Sequence, residues 1–209
     1  MIPRIPSPTT THTLYLSYLK ALKAHGFAGE IHDDYDHRIT LATDNSIYQW
    51  LPQAVVYPTS IEDLAKVAEV ANQPAFHEIV LTPRGGGTGT NGQSLTDGIV
   101  VDISRHMNNI LEINAEERWV RVQTGVVKDQ LNSALRPYGL FFAPELSTSN
   151  RATLGGMINT DASGQGSCAY GKTRDHVLSL TSVLMDGTQL TSHSISDEAL
   201  NQAKQSSGI

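Results

Sequence analysis

At 209 residues the chain is long enough for one large domain or two small lobes around a buried core. Its apolar fraction of 39% and charged fraction of 17% are those of a soluble globular protein, and a net charge of −6 with no run of Lys and Arg argues against a nucleic-acid partner. The single cysteine, Cys168, excludes an intrachain disulfide and a thiolate-rich metal site. No apolar stretch approaches a transmembrane length and Met1–Pro6 lacks an apolar signal core, so the expected location is a reducing cytoplasm, at most peripheral to an inner membrane.

Residues 1–10, rich in Pro, Ser and Thr, read as an extended arm. A helix is expected from a cap at Thr10 or Thr11 to Gly26, with Leu14, Leu16, Leu19 and Leu22 at loosely helical spacing. Glu30 to Ser46 reads as loop with short helical turns and a solvated acidic face. His12, His25, His32 and His37 show no metal-ligand clustering and read as surface or capping residues, so no metal is expected. Ala54–Tyr57 is a short strand ended by Pro58. Thr59 to Glu62 then forms a capping-box signature that opens an amphipathic helix through Ala71, closed by Asn72 and Pro74.

A strand at Ile79–Thr82 leads into Pro83-Arg84-Gly85-Gly86-Gly87-Thr88-Gly89-Thr90-Asn91-Gly92, and another strand follows at Ile99–Asp102. Glycines let a ligand approach the backbone, and successive N–H groups in such a turn can form an anion-binding nest. Residues 87–92 match G-x-G-x-x-G literally. A dinucleotide fingerprint of that type needs a helix opening from the loop, and Gln93 to Gly98 are too few to supply one. A P-loop needs a lysine that is absent here. A purely structural turn is the remaining alternative, but a hairpin needs one or two glycines, and this loop has five.

A second lobe is expected beyond a split near residues 103–109. Ile110–Ile113 and Trp119–Val122 read as strands around a polar turn, and Gly125 leads into a helix bearing Val127, Leu131, Ala134 and Leu135. Leu140–Phe142 reads as a short buried strand. A small-residue stretch from Pro144 to Gly171 precedes the apolar run Val177–Met185, a hairpin turn at Asp186-Gly187, and a returning strand at Gln189–Thr191. The polar, alanine-containing tail reads as helix. It stops without a fold-ending signal, which points to a chain cut from something longer.

The later stretch combines Pro144-Glu145-Leu146-Ser147-Thr148-Ser149-Asn150, Ala152-Thr153-Leu154-Gly155-Gly156, Asn159-Thr160-Asp161-Ala162-Ser163-Gly164 and Tyr170-Gly171-Lys172-Thr173-Arg174-Asp175. With the P-R-G-G-G-T-G loop, it resembles the FAD-binding domain of the vanillyl-alcohol oxidase and p-cresol methylhydroxylase family over residues 40–190. The nearer likeness is the branch of D-lactate, glycolate and D-2-hydroxyglutarate dehydrogenases, as the N-terminal part of a large bacterial FAD-linked oxidase.

The resemblance implies an α+β, two-lobed FAD-binding domain. Residues 1–46 form an arm and helix, 47–105 a small β-α-β-β lobe with the pyrophosphate loop, and 106–209 a larger mixed-sheet lobe with helices, truncated at its end. It implies that Gly85, Gly86, Gly87, Thr88, Gly89 and Thr90 wrap the FAD pyrophosphate, extended by Asn91 and Gly92. Ser147, Thr148, Ser149, Asn150 and Thr153 would lie along the flavin side, with Pro144 and Glu145 also among the cofactor-binding residues. Gly155, Gly156, Asn159, Thr160, Ala162 and Gly164 would make close contacts. Some relatives carry a flavin-linked histidine at the position of Thr88, so the resemblance implies non-covalent FAD. Arg84 would either support the loop through backbone carbonyls, the favoured reading, or pair with the cofactor's phosphates.

The implied reaction is oxidation of a D-2-hydroxy acid, of D-lactate or D-2-hydroxyglutarate type, to the 2-oxo acid. Any iron–sulfur cluster would lie in a missing C-terminal half, the electron acceptor is unassigned, and the catalytic base lies outside this chain. The piece alone is expected to be inactive and to bind FAD weakly or not at all. A sugar or alcohol oxidase of the same fold and a flavin-free binding module are the rival classes. Asp161, where the family has Asn, reads as a turn cap or as a group tuning the flavin. Glu145 faces solvent or cofactor, Arg174 and Asp175 read as structural, and Cys168 as a small packed residue.

Overall fold

In the computed structural model, which describes residues 10–206, the first helix is α1, Thr13–Ala24. The expected arm falls, apart from Thr10, outside the described residues. The cap of α1 is neither Thr10 nor Thr11. His12 Nδ1 accepts the Leu14 N–H at 3.3 Å, while Thr11 Oγ1 donates to the Gln53 carbonyl at 2.9 Å, so the threonine ties the helix start to a distant segment. Gly26, at φ +85°, follows the helix as expected. Tyr18, Leu19 and Leu22 are its buried face, and Tyr18 Oη donates to the Val67 carbonyl at 2.8 Å.

The expected loop with short helical turns contains one unexpected element, the strand β1, Glu30–His32; the helical turn is α2, Tyr35–Thr40, capped by the Asp34 carboxylate on the His37 N–H. Strand β2, Ala54–Tyr57, is buried throughout. Helix α3, Ile61–Ala71, is capped by Ser60, one residue later than expected, and without the reciprocal capping box. Ser60 Oγ accepts the Asp63 N–H at 3.2 Å, and Asp63 Oδ2 accepts the Thr59 N–H at 3.1 Å and the Thr59 hydroxyl at 2.6 Å. Asp63 Oδ1 also takes the Ala28 N–H at 2.9 Å, a tertiary partner that selects Asp63 over Glu62. Strand β3 runs Leu81–Arg84, two residues beyond the expected start, because the 3-10 turn Pro74–Phe76 still holds the Ile79 N–H.

Strand β4, Ile99–Asp102, lies between β2 and β3 and parallel to both, while β1 pairs antiparallel at the β2 edge, giving the order β1-β2-β4-β3. Burial on both faces matches the unbroken apolar runs of β2 and β4. Alternation sends Ala54, Val56, Ile99 and Val101 onto α1 and α3, and Val55, Tyr57 and Val100 to the other face with Leu41. Residues 85–98 return from the end of β3 to the start of β4 without a helix, the context that excluded the Rossmann reading.

Strands β5, Ile110–Asn114, and β6, Trp119–Val122, form an antiparallel hairpin with Arg118 at φ +59° in its turn. Helix α4, Lys128–Leu135, packs Leu131 and Leu135 on Val126 and Leu154. Leu140–Phe142 is not a strand. Its Phe142 N–H goes to Asn132 Oδ1 at 2.7 Å instead of a ladder, and Phe141 is exposed. Two short helices follow, α5, Leu154–Asn159, and α6, Ser167–Tyr170. The hairpin of β7, Ser179–Val183, and β8, Gln189–His193, turns at Asp186-Gly187, and α7, Asp197–Ser206, ends the described chain.

Candidate functional site

The loop after β3 is shaped by what lies beneath it. Arg84 is buried, and its guanidinium donates to the Thr43 carbonyl at 2.7 Å, the Leu41 carbonyl at 3.3 Å and Ser94 Oγ at 3.5 Å. Burial pulls this guanidinium below the ordinary arginine value, Asp102 and Asp44 act against that shift, and Arg151 adds like charge. All three acceptors are protein groups, so the arrangement is that of loop support. A side chain at Gly87, at φ +61°, would strike the Arg84 guanidinium. The Gly87 carbonyl accepts the Asn45 N–H at 3.0 Å, which ties the loop to the 41–48 segment.

Among the described residues, the backbone N–H groups of residues 86–90 donate to no protein acceptor. The first committed donor after them is the Asn91 N–H, held by Gln93 Oε1 at 3.1 Å. Unpaired N–H groups in succession are what a nest offers to an anion. Gly92, at φ +73°, packs against the ring of Tyr48.

The second motif meets this loop directly. A Cβ on Gly85 would collide with Thr153 Oγ1, and one on Gly86 with the Arg151 carbonyl oxygen, so both positions require glycine for close approach. Thr153, buried, caps α5 by accepting the Gly156 N–H at 3.4 Å. The preceding turn is closed by the Thr148 carbonyl, which accepts the N–H groups of Arg151 and Ala152. It is tied to the first turn of α4 by Ser149 Oγ donating to Asp129 Oδ2 at 3.1 Å. Gly155 sits against Thr124, where a Cβ would lie 2.8 Å from its Cβ.

Between these segments lies a cleft of about 270 Å³. Gly86, Arg151 and Thr153 form one side, and Gly125, Val127 and Gln130 contribute the approach to α4. Ser104 and Asn108, from the connection between β4 and β5, also line it, as does Asn150. Reading the sequence missed Ser104, Asn108 and Gln130, because single polar residues in connections carry no pattern. The volume suits a pyrophosphate with part of its nucleoside and is at the small end for a ligand pocket.

The remaining expected site residues form a second group. Pro144 is buried and Glu145 exposed; the Glu145 carbonyl packs where a Cβ on Gly164 would go, and Glu145 Oε2 is 3.3 Å from the corresponding position on Gly166. Ser147 is exposed. Asn159 ends α5, Thr160 Oγ1 bonds back to the Gly156 carbonyl at 2.9 Å, and the Ala162 carbonyl accepts the buried Thr173 hydroxyl at 2.7 Å. Asp161, at φ +46°, accepts the Arg174 N–H at 3.2 Å and pairs with the Arg174 guanidinium at 3.2 Å, which is the cap reading. Asp175 accepts the Lys172 N–H at 2.8 Å. Cys168 is exposed on α6 rather than packed, because that four-residue helix lies at the surface.

The histidines cluster more than their spacing predicts. His32 Nδ1 lies 3.5 Å from Asp34 Oδ2, and His37 Nδ1 lies 2.8 Å from Asp34 Oδ1. Glu30 holds His32 Nε2 at 3.0 Å and His106 Nε2 at 2.6 Å. Hydrogen bonds from His37 lower the Asp34 carboxyl to about 2. The two imidazoles stack with centroids 3.6 Å apart and planes at 14°. A ring nitrogen's lone pair lies in its ring plane, so parallel stacked rings do not aim at one ion. The group is two imidazoles bonded around a helix-capping carboxylate.

A family model described as an FAD binding domain matches residues 52–193. The D-2-hydroxyglutarate dehydrogenase of Pseudomonas putida is 71% identical over 189 residues, covering 90% of this chain and 19% of that protein. The D-2-hydroxyglutarate dehydrogenase of Escherichia coli is 60% identical over 187 residues, covering 90% and 18%. The chain thus spans about a fifth of the length of the curated relatives it matches. A solved alkyldihydroxyacetonephosphate synthase has a TM-score of 0.77 at 24% identity, covering 93% of this chain and 40% of that one, a likeness of fold alone. No helix among the described residues is long and apolar enough to cross a membrane.

Proposed function

The chain belongs to the FAD binding domain family, and on that premise we propose that it holds the pyrophosphate of FAD on the loop of residues 85–92. The observation that carries this reading is the run of free N–H groups at residues 86–90 beside a cleft. Backbone N–H donors stabilise phosphate oxygens without the desolvation cost of a buried cation, and the Arg84 guanidinium packs beneath the loop at Gly87. Gly85 and Gly86 let the loop lie on the 151–153 segment, so one rigid wall presents both motifs. We take residues 47–105 as the lobe of the pyrophosphate loop and 106–209 as the second lobe, with the flavin running along 144–164. Thr88 offers no ring nitrogen, which supports non-covalent binding.

As part of a longer protein, the chain serves oxidation of a D-2-hydroxy acid to the 2-oxo acid, with D-2-hydroxyglutarate favoured over D-lactate by the relatives' names. Bound FAD would supply acceptance of a hydride equivalent from the hydroxyl-bearing carbon. The chain's own contribution is to bind and orient the cofactor. An iron–sulfur cluster, implied by the family resemblance, belongs outside this chain, whose one cysteine cannot ligate it.

The test is the full-length protein. Purification should yield oxidised-flavin absorbance, acid precipitation should release all the flavin into solution, and D-2-hydroxyglutarate should bleach it anaerobically. Absence of flavin from the full-length protein, or bleaching by sugars alone, would overturn the reading.

A further inference from the structure

We propose that Arg151 supplies the side-chain positive charge that meets the cofactor's pyrophosphate in this cleft, making the site selective for a pyrophosphate-bearing ligand over an uncharged flavin. The inference rests on the FAD reading above and adds a residue that the glycine motif does not contain.

Three observations carry it. Arg151 lines the cleft together with Gly86, its carbonyl lies against the Gly86 Cα, and its guanidinium donates to the Gly86 carbonyl at 3.3 Å. The cation is therefore held at the first residue of the run of free N–H groups. Second, that bond is its only side-chain hydrogen bond among the described residues, and none of the ion pairs found there includes it. A guanidinium carries five N–H donors, so most of its capacity is uncommitted.

Third, the nearby carboxylates are occupied elsewhere. Asp44 accepts from Ser94 and the Ser46 N–H, Asp102 from Ser104, and Asp129 from Ser149. Arg84 sits beneath the same loop without lining the cleft, and its like charge acts on Arg151 while Asp102 and Asp44 offset part of it. An anion in the cleft relieves the repulsion between the two guanidinium groups. Backbone N–H groups offer only partial charges, whereas a planar guanidinium matches two phosphate oxygens at once.

The experiment uses the full-length protein, stripped of flavin, with FAD, ADP and riboflavin as probes and thermal unfolding as the folding control. Arg151→Gln should weaken FAD and ADP by about ten- to a hundredfold, the range of one charge-assisted hydrogen-bonded contact, while riboflavin is unchanged. Arg151→Lys should recover part of the ADP affinity, and the salt dependence of ADP binding should be steeper for the native protein than for Arg151→Gln. Unchanged FAD and ADP affinity in Arg151→Gln, or an equal loss for riboflavin, would overturn the inference and leave the FAD reading standing. Native protein that binds neither FAD nor ADP would overturn both.

Discussion

Replacing Gly86 with alanine tests the contact on which the site depends. The new methyl would lie 2.9 Å from the Arg151 carbonyl carbon and closer still to its oxygen. Both obstacles are backbone, so no rotamer change relieves the clash, and the loop must lift off the 151–153 segment. Overpacking of this kind costs about 1–3 kcal/mol. Loss of the Arg151 bond to the Gly86 carbonyl adds about 1 kcal/mol. The sum, about 2–4 kcal/mol, lowers the unfolding temperature of the domain that carries the loop. FAD affinity should fall at least about tenfold, since the free N–H groups move with the loop. Calorimetry and a flavin titration on the full-length protein read the two effects. Gly139→Ala is the control: at φ +68° an alanine is strained there, but open space surrounds it, so the loss is of backbone conformation without a clash. It should lose stability without losing FAD affinity. If Gly86→Ala melts and binds FAD as the native protein does, the loop does not depend on this close approach and the reasoning fails.

Arg84→Met removes donors from two backbone carbonyls and Ser94, and should cost about 2–4 kcal/mol in urea unfolding. Arg84→Lys should recover only part of that, because one ammonium cannot reproduce the fork. Asp63 sets an acid limb. Burial raises its carboxyl, but hydrogen bonds from Thr59 and Ala28 outweigh burial and leave it below the usual value. Its contribution is therefore complete above the unfolded pKa of about 3.9 and is lost as pH falls through the lower folded value. Asp63→Asn should cost about 2 kcal/mol at neutral pH and flatten that acid limb, a result read from unfolding at a series of pH values. An unchanged acid limb would remove Asp63 from the account.

Local pattern carried much of the fold. The apolar runs of β2 and β4, the amphipathic face of α3, the two hairpins and the helix-free loop between β3 and β4 depend on neighbours in sequence, and were legible there. Errors fell where distant groups decided. Glu30–His32 is a strand because β2 offers it an edge, and at the start of α3 it is Asp63, not Glu62, that reaches back, holding Thr59 and the distant Ala28 N–H. Leu140–Phe142, apolar enough for a strand, has its backbone satisfied by the side chain of Asn132 and never finds a partner strand.

The same division holds at the candidate site. The glycine loop by itself determined that a ligand could approach the backbone, and the missing crossover helix determined which nucleotide folds it could not belong to. Only the tertiary structure decided why Gly85 and Gly86 must lack side chains. Their obstacles are Thr153 and Arg151, more than sixty residues away, and chain folding alone brings those groups to within a methyl's width. Ser104, Asn108 and Gln130 reach the cleft by the same route, as ordinary polar residues whose place comes from packing and not from pattern.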